Sequence, residues 1–147
     1  AEKGIGSVTP EAAKAALLSF VGEQMQTPPM VSAVKVGGKK LYELARKGVE
    51  IAREPRPILI SAIRIGNVGL PDIDFEMDCS KGTYVRALCS DAGKKLGCGA
   101  VLAKLRRLRS GRFDLKDAVT VETMKTWDQE KLAEQVGKTT FAAAGGK

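Results

Sequence analysis

Histidine is absent from all 147 residues. That excludes His-based catalytic triads, His-ligated zinc and an imidazole base within this chain. Cysteine is scarce: Cys79, Cys89 and Cys98 are an odd set without CxxC spacing, so neither a zinc ribbon nor a complete disulfide framework is expected. Reduced, partly buried thiols of a cytosolic protein fit this usage. No apolar run approaches the roughly 20 residues of a bilayer-spanning helix. Residues 1–7 lack a charged start, an apolar core and an Ala-x-Ala cleavage site, so no secretory signal is expected. The first residue is Ala and not Met, which suits a processed chain or a fragment.

What is present is the composition of a globular domain, 44% hydrophobic and 28% charged. The formal charge is +7, and it is unevenly placed. Between Lys81 and Arg112 stand nine basic residues and a single acid, Asp91. The rest of the chain is close to neutral. The densest part, Lys104 to Arg112, is mostly Arg, the residue suited to bidentate contact with phosphate. A solvated basic face is the plain alternative, but without compensating acids the run favours a nucleic-acid backbone.

Thr9 as cap, Pro10 at the first helical position and apolar residues at Ala13, Ala16, Leu17, Phe20 and Val21 predict a helix ending near Gly22. Gln26 to Lys40 is rich in Pro, Gly and small residues and reads as a loop, followed by a short helix from Leu41 to Lys47. Arg53 to Pro57 reads as a connector. Strands are predicted at Ile58 to Ile65 and Asp72 to Cys79, joined through Gly66 to Pro71; in the second, Ile73, Phe75 and Met77 face inward. A helix is predicted over Thr83 to Leu96, ending at Gly97, with Tyr84 and Arg86 at a strand-to-helix turn. Ala100 to Leu108 fits helix and strand equally. Thr120 to Trp127 and Gln129 to Val136 read as short helices, and the tail from Thr139 as frayed.

Two motifs go beyond charge. Gln26-Thr-Pro-Pro-Met-Val-Ser-Ala-Val-Lys35 continues through Gly38-Lys39-Lys40-Leu41-Tyr42 to Arg46-Lys47-Gly48. Cys79-Ser-Lys-Gly-Thr-Tyr-Val-Arg86 is followed by Leu96-Gly-Cys-Gly-Ala100 and Leu105-Arg-Arg107. In this order and spacing they resemble the bacterial TruB-type tRNA pseudouridine synthases, from about Thr9 to Phe113. The resemblance implies an α+β fold: part of the mixed or antiparallel synthase sheet flanked by helices, incomplete without an N-terminal half. It implies residues 1–136 as the C-terminal half of the catalytic domain, residues 27–53 as an RNA-contacting insertion and 137–147 as a tail. No additional RNA-binding domain is expected after Phe113, since few residues follow it.

The same resemblance implies isomerisation of a uridine in the T-arm of tRNA, position 55, to pseudouridine by base flipping, glycosidic cleavage and reattachment through carbon. No cofactor and no metal are implied. Arg86 matches the arginine that pairs with the family's catalytic Asp, Tyr84 the tyrosine that stacks on the flipped base, and Leu105 the apolar residue on the base's other side. Lys35, Lys39, Arg46, Lys81, Lys104, Arg106, Arg107 and Arg109 are the expected RNA-binding residues. Taken singly, Tyr84 and Leu105 read more readily as core residues and Arg86 as a surface ion-pair donor; the motif as a whole reverses that preference. Val31 departs from the family, which usually has an aromatic beside Ser32-Ala33.

The larger departure is that no Gly-x-Leu-Asp-Pro motif, the family's setting for the nucleophile, occurs among the seven aspartates. The chain alone is therefore expected to be inactive, and its open sheet edge to be covered by a second chain or a dimer partner. A non-catalytic basic tRNA-binding module and the catalytic subunit of a guide-RNA pseudouridylation complex remain as alternatives. A cytoplasmic location is expected throughout.

Overall fold

A computed structural model of the chain describes residues 4–32 and 34–144, with the backbone alone at 35, 36, 39 and 138–144. The chain divides into two compact units, Ala1–Lys104 and Leu105–Lys147. The architecture is α+β with antiparallel sheets, as expected.

In the first unit, helix α1 (Pro10–Leu18) starts where its sequence dictates: the Thr9 hydroxyl accepts the Ala12 amide at 3.2 Å. It stops four residues before Gly22, because the chain turns at Ser19 and Gly22 opens strand β1 (Gly22–Gln26). This strand was not expected. Its sequence, Gly-Glu-Gln-Met-Gln, has no β-branched residue, and it is held by antiparallel pairing with β4 (Arg56–Gly69), Gly22 opposite Ile60 and Gln26 opposite Arg56. Within the expected loop lies a small hairpin, β2 (Lys35–Val36) and β3 (Lys39–Lys40), leading into helix α2 (Leu41–Ala45).

Strand β4 is longer at both ends than the predicted Ile58 to Ile65, absorbing Pro57 and the Gly66 segment. It pairs with β5 (Asp72–Cys79), whose bounds match the prediction. The turn between them shrinks to Leu70-Pro71, a cis peptide. A register irregularity between Ile60 and Ala62 switches the inward side of β4 from Ile58 and Ile60 to Ile63 and Ile65. The strand order is β1-β4-β5, so β4 is central and β1 and β5 are the edges.

Helix α3 (Val85–Leu96) packs against α1, and α1 packs on β4. Ile58, Ile60, Ile63 and Leu88 form the core, with Phe20, Ile65, Phe75 and Met77 against it. Ile60 and Leu88 are fully buried, each worth about 1.5–3 kcal/mol relative to exposure. On β5, Asp72 and Asp74 are exposed, while Asp78 meets Arg64 at 2.9 Å.

Ala100 to Leu108, which runs from the end of the first unit into the second, resolves into neither alternative and has no regular element. In the second unit, strand β6 (Arg109–Ser110) pairs with β7 (Phe113–Asp114). Helix α4 (Val121–Lys125) is capped by Thr120. Helix α5 (Gln129–Ala144) runs through the segment expected to fray.

Candidate nucleic-acid interface

Tyr84 is the last extended residue before α3, with φ −104° and ψ 105°. The turn therefore falls where the Tyr84/Arg86 spacing requires it. Arg86 is the second residue of the helix. No acid stands in that first turn, and the helix N-terminus is positive, so an exposed Arg there opposes the usual rule. Its Nη2 donates to the carbonyl of Val31 at 2.7 Å. The contact is to main chain, which any residue at position 31 supplies; the Val31 side chain itself is exposed.

Loop 28–34 reaches α2 through its backbone. The Leu41 amide donates to Val34 at 2.8 Å and the Tyr42 amide to Ser32 at 3.0 Å. Helix α2 thereby presents Tyr42, Ala45 and Arg46 to the same space as Tyr84 and Arg86. The result is a cleft of about 640 Å³, completed by Val31 and Ser32. Arg46 and Lys40 each lie 5.5 Å from the Tyr42 ring centroid, within cation–π range. The cleft thus offers two phenol rings and two guanidinium groups, a set suited to stacking on a base while holding an anion.

Three expected site residues, Tyr84, Arg86 and Arg46, are brought together here. Lys81 is exposed in the turn after β5. The side chains of Lys35 and Lys39 lie outside the described residues. Lys104 ends the first unit, and Leu105, Arg106, Arg107 and Arg109 belong to the second, all exposed; Leu105 shows 66% of its surface. Tyr42, Ser32 and the Val31 carbonyl were missed as site residues. Tyr42 was visible as an aromatic inside a basic motif, whereas nothing in the sequence marks a main-chain acceptor. Among the described residues no group of three or more His, Cys, Asp or Glu is placed to hold a metal. No helix among them is long and apolar enough to cross a membrane.

Comparison with known proteins gives two family matches. Residues 1–85 match the TruB family pseudouridylate synthase N-terminal domain, and residues 86–139 the tRNA pseudouridylate synthase B C-terminal domain. The second match extends past Phe113, the end of the resemblance read from the motifs. The two meet between Tyr84 and Arg86. The chain is 48% identical over 120 residues to tRNA pseudouridine synthase B of Clostridium kluyveri, covering 82% of this chain and 40% of that protein. It is 50% identical to the synthase of Opitutus terrae, covering 76% of this chain and 46% of the relative, and 53% identical to that of Syntrophotalea carbinolica, covering 79% and 38%. It thus spans less than half the length of these curated relatives. A chain of the crystal structure of a Cbf5-Nop10-Gar1 complex superposes with a TM-score of 0.63 at 30% identity, over 80% of this chain and 31% of that one. By sequence and by fold, the chain belongs to the TruB family of pseudouridylate synthases.

Proposed function

We propose that this chain forms one wall of the uridine pocket of a cytoplasmic enzyme that converts a uridine in the T-arm of tRNA, position 55, to pseudouridine. The observation that carries this reading is Arg86: a cation on the positive end of α3, with no acid in that turn, lining a cleft with Tyr84 and Tyr42. Such a placement is unfavourable for the helix alone and gains its purpose from an anion.

The reaction rearranges bonds without net redox change. The uridine is flipped out of the loop, its bond to the ribose carbon is broken, and uracil turns and rejoins through carbon. Arg86 pairs with an aspartate from outside these 147 residues and keeps that carboxylate ionised. Tyr84 stacks on the base and moves a proton. Leu105 supplies an apolar contact to the base. Lys35, Lys39, Arg46, Lys81, Lys104, Arg106, Arg107 and Arg109 hold the RNA backbone. Identities near 50% to relatives named tRNA pseudouridine synthase B support tRNA as the substrate.

The test is tritium release from tRNA carrying 5-tritiated uridine. It is run on the 147-residue chain alone and on the chain grafted in place of its counterpart in the Clostridium kluyveri synthase. The chain alone is expected to be silent and the graft active at the T-arm uridine. A silent graft beside an active parent overturns the reading. Turnover by the chain alone overturns the external aspartate.

A further inference from the structure

Gln26 ends β1 and, with Ser32, is one of two buried polar residues among those described, at 7% exposure. Both ends of its amide bind one residue far along the chain. Nε2 donates to the Tyr84 carbonyl at 3.1 Å, and Oε1 accepts the Tyr84 amide at 2.8 Å. This is the reciprocal pair that two facing strand residues make, with a side-chain amide in place of one backbone.

The local sequence cannot provide that bond. In a capping box, a Glu or Gln three residues into the helix reaches back to the capping residue's amide. Here that position is Ala87, and Tyr84 makes no side-chain cap bond of its own. Gln26 performs the service from another strand and spares the part-buried Tyr84 amide an unpaired state, which is costly away from water. Five residues on, the Val31 carbonyl holds Arg86. Between the two grips stand Pro28 and Pro29, each with its φ fixed by the ring. The Pro28 carbonyl is itself held by Arg53 at 3.1 Å. Segment 26–31 therefore grasps segment 84–86 at both ends through a stiff link.

We propose that Gln26 is a positioning residue for the uridine pocket, clamping the Tyr84 backbone so that the Tyr84 ring and the Arg86 guanidinium face the cleft together. This rests on the functional reading above and deepens it. Gln26 touches no substrate; it acts through Tyr84.

Two measurements on the chain test it. The first is amide hydrogen exchange at Tyr84. In the wild type, exchange is expected to be slowed at least about tenfold against an unstructured peptide. Gln26→Met keeps the length and removes both polar atoms, so it is expected to abolish that protection. The second is the preference for a T-arm stem-loop carrying the target uridine over one with an abasic site there. Gln26→Met is expected to cut this preference about tenfold, while overall RNA affinity, carried by phosphates, stays within about twofold. Gln26→Glu retains the acceptor for the Tyr84 amide and lacks the donor for its carbonyl. It is expected to keep the protection and lose part of the preference.

Free exchange at Tyr84 in the wild type overturns the clamp, and this requires no variant to fold. A wild-type preference for uridine that survives in both variants overturns the positioning role alone. A wild type with no such preference overturns the functional reading, and the positioning role with it, whatever the exchange shows.

Discussion

The Gly99 amide donates to the Gly93 carbonyl at 3.0 Å, folding the chain that leaves α3 back across the helix's last turns. Gly97, with φ +77°, ends the helix in the left-handed conformation that makes this return possible. A Cβ placed on Gly93 would collide with the backbone of Gly99 and Ala100, which cannot step aside as a flexible side chain can. In an exposed helix Gly→Ala is worth about 1 kcal/mol in favour of Ala. Here overpacking reverses the sign. Gly93→Ala is expected to destabilise by about 1–3 kcal/mol, read as a lower urea midpoint.

Arg86 separates stability from chemistry. Arg86→Gln removes a cation from the positive end of α3, a gain of about 0.3–1 kcal/mol. It also weakens the bond to the Val31 carbonyl, a loss of similar size. The urea midpoint is expected to stay nearly constant, whereas tritium release by the grafted synthase falls roughly 10²–10³-fold. A large stability loss with turnover retained would assign Arg86 a structural role instead.

The cysteines differ by burial. Cys79 is exposed at the end of β5 and Cys89 is buried on α3, where burial pushes its thiol above the ordinary value of 9.0. Iodoacetamide is expected to label Cys79 well before Cys89 in the folded chain. The folded state holds the Cys89 proton to a higher pH than the unfolded state does. Its stabilising contribution is therefore complete below pH 9.0 and is lost as pH rises beyond that. Urea titrations from about pH 8 to about pH 10 are expected to show this added loss in the wild type and not in Cys89→Ala.

The basic run makes a salt prediction. Arg106→Ala and Arg107→Ala are each expected to lower the slope of log affinity against log salt for a T-arm stem-loop by about 0.7–1. Leu105→Ala is expected to leave the slope unchanged and weaken the preference for the target uridine. Unchanged slopes in the Arg variants would remove these residues from the phosphate contacts.

Much of the fold was readable from local chemistry. Asp72–Cys79 alternates apolar and acidic residues, a period only a half-buried strand satisfies, and the structure returns the same bounds. Thr9, Pro10 and Gly97 mark helix ends through effects confined to one turn. Strand β1 was not readable, because Gly-Glu-Gln-Met-Gln carries no strand preference and becomes a strand by pairing with β4. The reach of β4 past Gly66 and Asn67, where the register with β5 slips, has the same origin, since Val68 and Gly69 are held by pairing with Ile73 and Asp72.

The candidate site divides the same way. The sequence by itself determined the chemical types, Tyr84 and Arg86 at a strand-to-helix turn and a concentrated basic run, because residue type and near-neighbour spacing are local properties. Only the tertiary structure decided that Tyr42, Arg46 and the Val31 carbonyl share a cleft with them, and that Gln26 holds Tyr84 across the sheet. Those contacts join segments dozens of residues apart. Their partners are chosen when the sheet and helices close on a common core, a choice that hydrophobic burial makes for the whole chain at once.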